Sequence, residues 1–459
     1  MRTPLGIVLF LLTAAVTALS TAGGRLLVVL DDLADRDAYT LFLGDIESRG
    51  FEIAYETPRS ERLRLSHLGE RTYDHIVFLP AKVKGLGPNL TPKHLVEFVK
   101  AGGNVVVALA STTPAPSSLV SFLAEFEVTL PAERTGLVVD HFNYDSLSAA
   151  EAHDVLVLDA PAKAPAATTD LFTMPGAVLV LPRTSGHVLG QSPLLTPLLR
   201  APFTAYSYNP KDQLETVDPD DLFASGQQLA LVTTVQARNS ARVAIIGSAE
   251  MLQDKWMEAK VAHVDRKPAK VENREFAKRL TGWAFQEIGV LRVNSIEHHL
   301  KGSKEMNPAI YRIKNDVTFS ISMSEYSWDK WVPFKVPKDD YVQMEFSMLS
   351  PFVRLNLRKT KTTETATIFS REFMLPDQHG IFNFRVNYKR DLLTYVDEKR
   401  TVSVRHIAHD EWPRSFDIVA AWPWLSGLWA TIMAWVMFCA LWLYSAPPRR
   451  GGGRGQARG

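Results

Sequence analysis

Two adjacent aspartates, Asp31 and Asp32, end the apolar run GRLLVVLDD. In an open α/β sheet, ligands bind just beyond the carboxyl ends of the strands. Two acids there, with hydroxyls from neighbouring loops, could hold a divalent cation. Ser111 and Thr112, which follow NVVVALA, and Ser248 and Glu250, which follow RVAIIG, are candidates for the same edge. Much of what catalysis would need is missing. No glycine-rich phosphate loop follows the first strand, and GLGPN at Gly85–Asn89 lacks the spacing that opens a helix. No G-x-S-x-G nucleophile elbow occurs. Strand-end aspartates also cap turns and helices, which is their commoner use.

Histidines offer a second chemistry. His298 and His299 are adjacent, so in a strand they point to opposite faces and cannot chelate one ion. His406, His409 and Asp410 have helix-like spacing, but nothing in the sequence completes a ligand set. Both groups read as surface residues, with no metal and no cofactor assigned. The sole N-glycosylation sequon is Asn89-Leu90-Thr91, with Pro92 stiffening the acceptor from behind.

The elements that position these residues follow from periodicity. From Arg25 to about Gly289, Val- and Leu-rich runs alternate with helical segments, the pattern of a doubly wound α/β domain with a parallel sheet covered on both faces. Tyr39, Leu43 and Ile46 share one helical face, and Gly50 suits the helix end. Thr91 is a fair N-cap with Pro92 at the first helical position. GAVLVLP, QLALVTTVQ and RVAIIGSAE read as further strands of the sheet, and NREFAKRLTGWAFQEIG closes it with Phe276, Leu280, Trp283 and Ala284 inward. KWMEAKVAHVDRKPAKVENRE, with mixed charge, reads as a solvated connector. Beyond Val290 the period changes to two. Val317, Phe319, Ile321 and Met323 alternate with Thr and Ser, and Phe382, Phe384, Val386 and Tyr388 with polar residues, as in an antiparallel β-sandwich.

Both ends of the chain point to a membrane. LGIVLFLLTAAVTAL followed by STAGG reads as a secretory signal cut after Ala22. No charge occurs between Asp417 and Arg449, and that stretch is long enough to cross a bilayer, which takes about 20 residues. Arginines beyond it place the tail in the cytosol and the bulk in the lumen of the secretory pathway. Ser426, Ala430 and Ala434 share one face of the span, a small-residue stripe on which another helix can pack. The expected organisation is a signal peptide over 1–22 and an α/β domain over 23–289. A β-sandwich follows over 290–415, then a transmembrane helix with flanks over 416–446 and a cytosolic tail over 447–459. The one cysteine, Cys439, falls in the span, so the luminal body has no disulfide and must fold on buried surface alone. A net charge of +1 gives no support to a nucleic-acid partner.

The runs RLLVVLDD, IIGSAEMLQDKW, NPAIYRIKNDVTFSI, YVQMEFSMLSPFVRLNL and FMLPDQHGIFNFRVNYKR resemble the 48 kDa subunits of the endoplasmic-reticulum oligosaccharyltransferase, and the likeness covers nearly the whole chain. The resemblance implies an N-terminal domain related to flavodoxin- and amidotransferase-like folds but without their active sites. It also implies a non-catalytic role in assembling the complex that transfers oligosaccharide from dolichyl diphosphate to asparagine in Asn-X-Ser/Thr. The implied partners are a multi-spanning catalytic subunit, ribophorin-like subunits and small membrane subunits. Unlike family members with a lysine-based retrieval signal, this tail ends RGQARG. Two other readings stay open on the residues alone: a metal-dependent enzyme using Asp31 and Asp32, and a luminal receptor for glycan or polypeptide.

Overall fold

The structure is a computed structural model that describes residues 20–161, 170–209, 222–263, 269–408, 411 and 420–444. Most of the expected signal peptide, His409, Asp410 and the tail beyond Tyr444 lie outside the described residues.

Seven strands form the main sheet of the N-terminal region. They are β1 (Arg25–Val29), β2 (Glu52–Glu56), β3 (His75–Phe78), β4 (Asn104–Ala108), β5 (Leu195–Arg200), β6 (Ala230–Gln236) and β7 (Arg242–Ile246). Their spatial order is β5-β6-β7-β4-β3-β1-β2. Adjacent pairs from β2 to β7 are parallel, whereas β6 runs antiparallel to both of its neighbours. The sheet is therefore mixed rather than parallel. The short connection from β6 to β7, Ala237–Ala241, is long enough only for a hairpin, and a hairpin joins antiparallel strands.

Alternation within the strands sends side chains to both faces. Leu26 and Val28 join one apolar cluster with Phe42, Leu43 and Ile46 of helix α1 (Thr40–Glu47). Leu27 and Val29 join another with α2 (Pro92–Lys100) and α3 (Ser117–Ala124). Helix α4 (Asn273–Ala284) covers the α1 side and buries Phe276, Leu280, Trp283 and Ala284. The Thr91 hydroxyl caps α2 by accepting from His94 N at 3.3 Å, with Pro92 at its first turn.

Two expectations are corrected. Val178–Pro182 does not extend the main sheet: it pairs antiparallel with Val155–Asp159 in a separate two-stranded sheet. The supposed solvated connector buries Trp256, Met257 and Val261, which pack with Val157 and Val180 or against the main core. Its charges alternate with these apolar anchors, so the mean composition hides them.

The C-terminal region is rich in sheet, with two five-stranded sheets. One contains β8 (Ile288–Leu300), β10 (Asp316–Ser327), β11 (Lys330–Pro333), β14 (Arg358–Thr362) and β15 (Thr367–Met374). The other contains β9 (Ile310–Arg312), β12 (Gln343–Ser347), β13 (Pro351–Asn356), β16 (Gly380–Tyr388) and β17 (Val396–Arg405). All pairings are antiparallel except β9 with β17. Phe319 of β10 stacks on Phe384 of β16 at 5.3 Å, and Phe373 of β15 meets Phe346 of β12 edge-on at 5.7 Å. The inward alternation read at Val317–Met323 and Phe382–Tyr388 is the pattern of burial observed.

Helix α5 (Ala421–Leu443) forms a separate unit with the residues from His406 onward. Its most apolar 18-residue stretch has a mean hydropathy of 1.7, and among the described residues it alone is long and apolar enough to cross a membrane. At about 1.5 Å per residue it is long enough to span the roughly 30 Å hydrocarbon core of a bilayer.

Candidate functional site

At the carboxyl edge of the main sheet most of the polar side chains are engaged in structural bonds. Asp32 is the N-cap of a short 3-10 helix, Leu33–Tyr39, and accepts from Ala34 N at 3.2 Å. Asp35 answers by accepting from Asp32 N at 3.3 Å, which completes a capping box. Asp31 is half-buried beside it. The motif DLAD carries this signal in the sequence, since the second acid stands three residues after the first.

The other edge candidates converge on Arg183. Ser111 donates its hydroxyl hydrogen to the Arg183 carbonyl at 2.7 Å, and Glu250 forms a bidentate ion pair with the Arg183 guanidinium. That pairing raises the arginine above its ordinary value. Ser248 donates to the Pro182 carbonyl at 2.5 Å and accepts from Met251 N at 3.3 Å. These groups tie the Pro182–Arg183 turn to the ends of β4 and β7. Thr112 differs: it is exposed and lines an open cavity with Lys82, Lys84 and Arg134.

His298 and His299 gather no ligand set, and the surface reading of His298 is corrected, while His409 and Asp410 lie outside the described residues. His298 is buried between the two C-terminal sheets, stacks on Phe384 at 4.9 Å and lies 2.7 Å from the Tyr311 hydroxyl. Burial pushes its pKa down to about 4, so the ring is neutral at physiological pH. His299 points away and bonds to the Leu300 carbonyl. Among the described residues, no three His, Cys, Asp or Glu side chains are grouped to hold a metal ion. Asn89 is half-buried and donates to the Ser60 carbonyl at 3.4 Å, while the sequon's Thr91 is occupied as the α2 cap.

Sequence reasoning misses the polar junction between the N-terminal sheet and β8. Arg242 opens β7 and is fully buried, with no carboxylate partner among the described residues. Its guanidinium donates to the carbonyls of Trp283 at 2.6 Å, Ile288 at 2.7 Å and Gly289 at 2.6 Å. It also lies 4.9 Å from the Trp283 ring centroid. These carbonyls include the free end of α4, where a cation complements the helix dipole. Burial draws the guanidinium down to about 9, which leaves it charged at neutral pH.

The junction is reinforced from the other side. Trp283 Nε1 donates to Leu392 O at 2.9 Å, and Gln236 reaches Leu393 O at 2.5 Å. Gly289, at φ +68°, needs glycine twice over, because a Cβ there would stand 2.7 Å from the Leu392 carbonyl. Nearby, Arg49 and Glu287 form a buried ion pair, with Arg49 also donating to the Thr281 hydroxyl at 2.9 Å. An arginine at the start of an apolar strand reads in sequence as a solvent-facing end, so nothing in RVAII signals this clamp.

Comparison with known proteins adds a direct result. Residues 17–287 match the family model described as OST48, N-terminal domain, and residues 298–446 match the OST48 middle domain. Relatives include the dolichyl-diphosphooligosaccharide–protein glycosyltransferase subunit wbp1 of Schizosaccharomyces pombe, 32% identical over 91% of this chain and 92% of that protein. The 48 kDa subunits of the same enzyme from Danio rerio and Caenorhabditis elegans are 32% and 33% identical, each over 95% of this chain and 95% and 94% of their own. Among solved structures, a ThuA-like protein of Parabacteroides merdae covers 57% of this chain and 89% of its own at 14% identity, with a TM-score of 0.28, too distant to bear on the fold.

Proposed function

The chain belongs to the OST48 family, and on that premise we propose that it is a non-catalytic assembly subunit of the endoplasmic-reticulum oligosaccharyltransferase, acting in protein N-glycosylation. The observation that carries the reading is the span of the likeness, which reaches from the first strand to the end of the apolar helix. Catalysis would then belong to a multi-spanning partner, with ribophorin-like and small membrane subunits completing the assembly.

Support for the absence of catalysis comes from the sheet edge, where Asp32, Ser111, Ser248 and Glu250 are engaged in structural bonds. Asp31→Asn with Asp32→Asn should change stability by less than about 1 kcal/mol, because asparagine caps a helix about as well as aspartate. Oligosaccharide transfer per assembled complex should stay at the wild-type rate. Loss of transfer from a normally assembled complex would instead establish the metal-enzyme reading.

The proposed organisation keeps a cleaved signal over 1–22, an α/β domain over 23–289, a β-sandwich over 290–415, a membrane segment over 416–446 and a cytosolic tail over 447–459, with the bulk in the lumen. The order β2-β1-β3-β4-β7 of the parallel strands favours a flavodoxin- or amidotransferase-like relationship. The aromatic contacts between the two C-terminal sheets favour the sandwich.

Partner packing in the bilayer is assigned to Ser426, Ala430 and Ala434, which follow one another at helical spacing along α5. Replacing all three with leucine should reduce recovery of the membrane partners severalfold in mild detergent, because the close approach of a second helix is lost. Leu428→Ala, away from that stripe, is the control and should leave recovery unchanged.

A further inference from the structure

A cavity of about 840 Å³ lies at the carboxyl edge between the loops that follow β3 and β4. It lies where open α/β sheets bind ligands, yet it is one strand removed from Asp31 and Asp32. Lys82 and Lys84 line it from the first loop, Thr112 and Thr113 from the second, Ser117 from the start of α3, and Arg134 from the third wall. Glu133 is the single acid in the lining, so the local charge is an excess of two cations.

That excess is not neutralised within the protein. None of the three cations forms an ion pair among the described residues, although exposed cations elsewhere do, as Lys301 with Glu372 at 2.9 Å and Lys314 with Asp377 at 2.8 Å. The walls are held in place by backbone bonds. Ser117 donates through its N–H and its hydroxyl to the Lys84 carbonyl, at 2.9 and 3.0 Å, and Ala115 N donates to the Arg134 carbonyl at 3.2 Å. Three cationic donors and the hydroxyls of Thr112 and Thr113 suit a doubly or triply charged oxyanion. The volume falls in the range of small-molecule sites, roughly 300–1,000 Å³, and leaves room for more than a bare phosphate.

We propose that this cavity binds a small phosphate-bearing ligand through Lys82, Lys84 and Arg134. The two lysines are exposed, so changing them tests the site without disturbing the core. Binding is measured by calorimetry on the full-length chain in detergent, with four probes: inorganic phosphate, pyrophosphate, uridine diphosphate and a short isoprenyl diphosphate. Sulfate at matched ionic strength is the control. At least one phosphate-bearing probe should bind saturably, and Lys82→Gln with Lys84→Gln should weaken it tenfold or more with no change in thermal unfolding. The best of the four identifies whether the phosphate belongs to a free ion, a nucleotide or a lipid. Absence of saturable binding by all four probes, equal binding of sulfate, or an affinity unchanged in the double variant would overturn the proposal. Assembly is read separately by co-purification, so failure here leaves the subunit role standing.

Discussion

Arg242→Met should destabilise the body of the protein by about 2–4 kcal/mol, a large share of the roughly 5–15 kcal/mol that holds a typical domain together. The side chain is fully buried and is the sole donor reaching three carbonyls at once, those of Trp283, Ile288 and Gly289. Methionine replaces the aliphatic stem but not the guanidinium, so a small cavity adds to the cost. What disappears is a set of charge-assisted hydrogen bonds, and the carbonyls at the end of α4 lose the cation that faces them. Gly289 O retains Thr394 N as a donor at 3.0 Å and Trp283 O retains Gln286 N at 3.0 Å, which set a ceiling on the loss. Urea unfolding followed by tryptophan fluorescence should show a lower midpoint with an unchanged slope. Arg242→Lys should fall between the two, since one ammonium cannot reproduce the planar fork. A methionine variant within about 1 kcal/mol of wild type would show that the clamp is dispensable.

Arg49→Met should cost a comparable amount, about 3–5 kcal/mol, with a dependence on pH that the Arg242 variant lacks. Glu287 is fully buried, and burial pushes its carboxyl up to about 7 even with Arg49 beside it. A carboxyl whose folded pKa is raised contributes most to stability below its unfolded value of 4.5, and that contribution falls as pH rises through about 7. Removing Arg49 takes away the charge that holds the carboxyl down, so its pKa climbs further. The destabilisation should therefore be greatest near pH 8, where an unpaired carboxylate would have to stay buried. It should shrink near pH 6, where Glu287 is protonated in both proteins. Unfolding measured at pH 6, 7 and 8 gives the sign directly. A cost that is equal at all three values would mean that Glu287 does not titrate there.

The parts of the fold that sequence reveals are those where local pattern and tertiary environment agree. Leu26–Val29, Asn104–Ala108 and Phe382–Tyr388 show their burial in their residue types, and the Thr91-Pro92 pair marks the start of α2. Partner choice is less legible. Val178–Pro182 is as apolar as a central strand, yet it pairs outside the main sheet, because hydrophobicity specifies burial and not the neighbour. The candidate edge residues were visible as types, but their bonds to Arg183 were not, since these link segments about 70 residues apart. Arg242 is the clearest miss. A charge at a strand end looks solvated until the chain brings the end of α4 and the start of β8 over it.

The account stands or falls on whether this chain is built into the oligosaccharyltransferase. The decisive measurement is purification of the tagged full-length chain in a mild detergent such as digitonin, with every co-purifying protein quantified. The account predicts near-stoichiometric recovery of a multi-spanning oligosaccharyltransferase subunit together with small membrane partners. A chain that is recovered alone, in a preparation where the other subunits assemble without it, would contradict the assembly role.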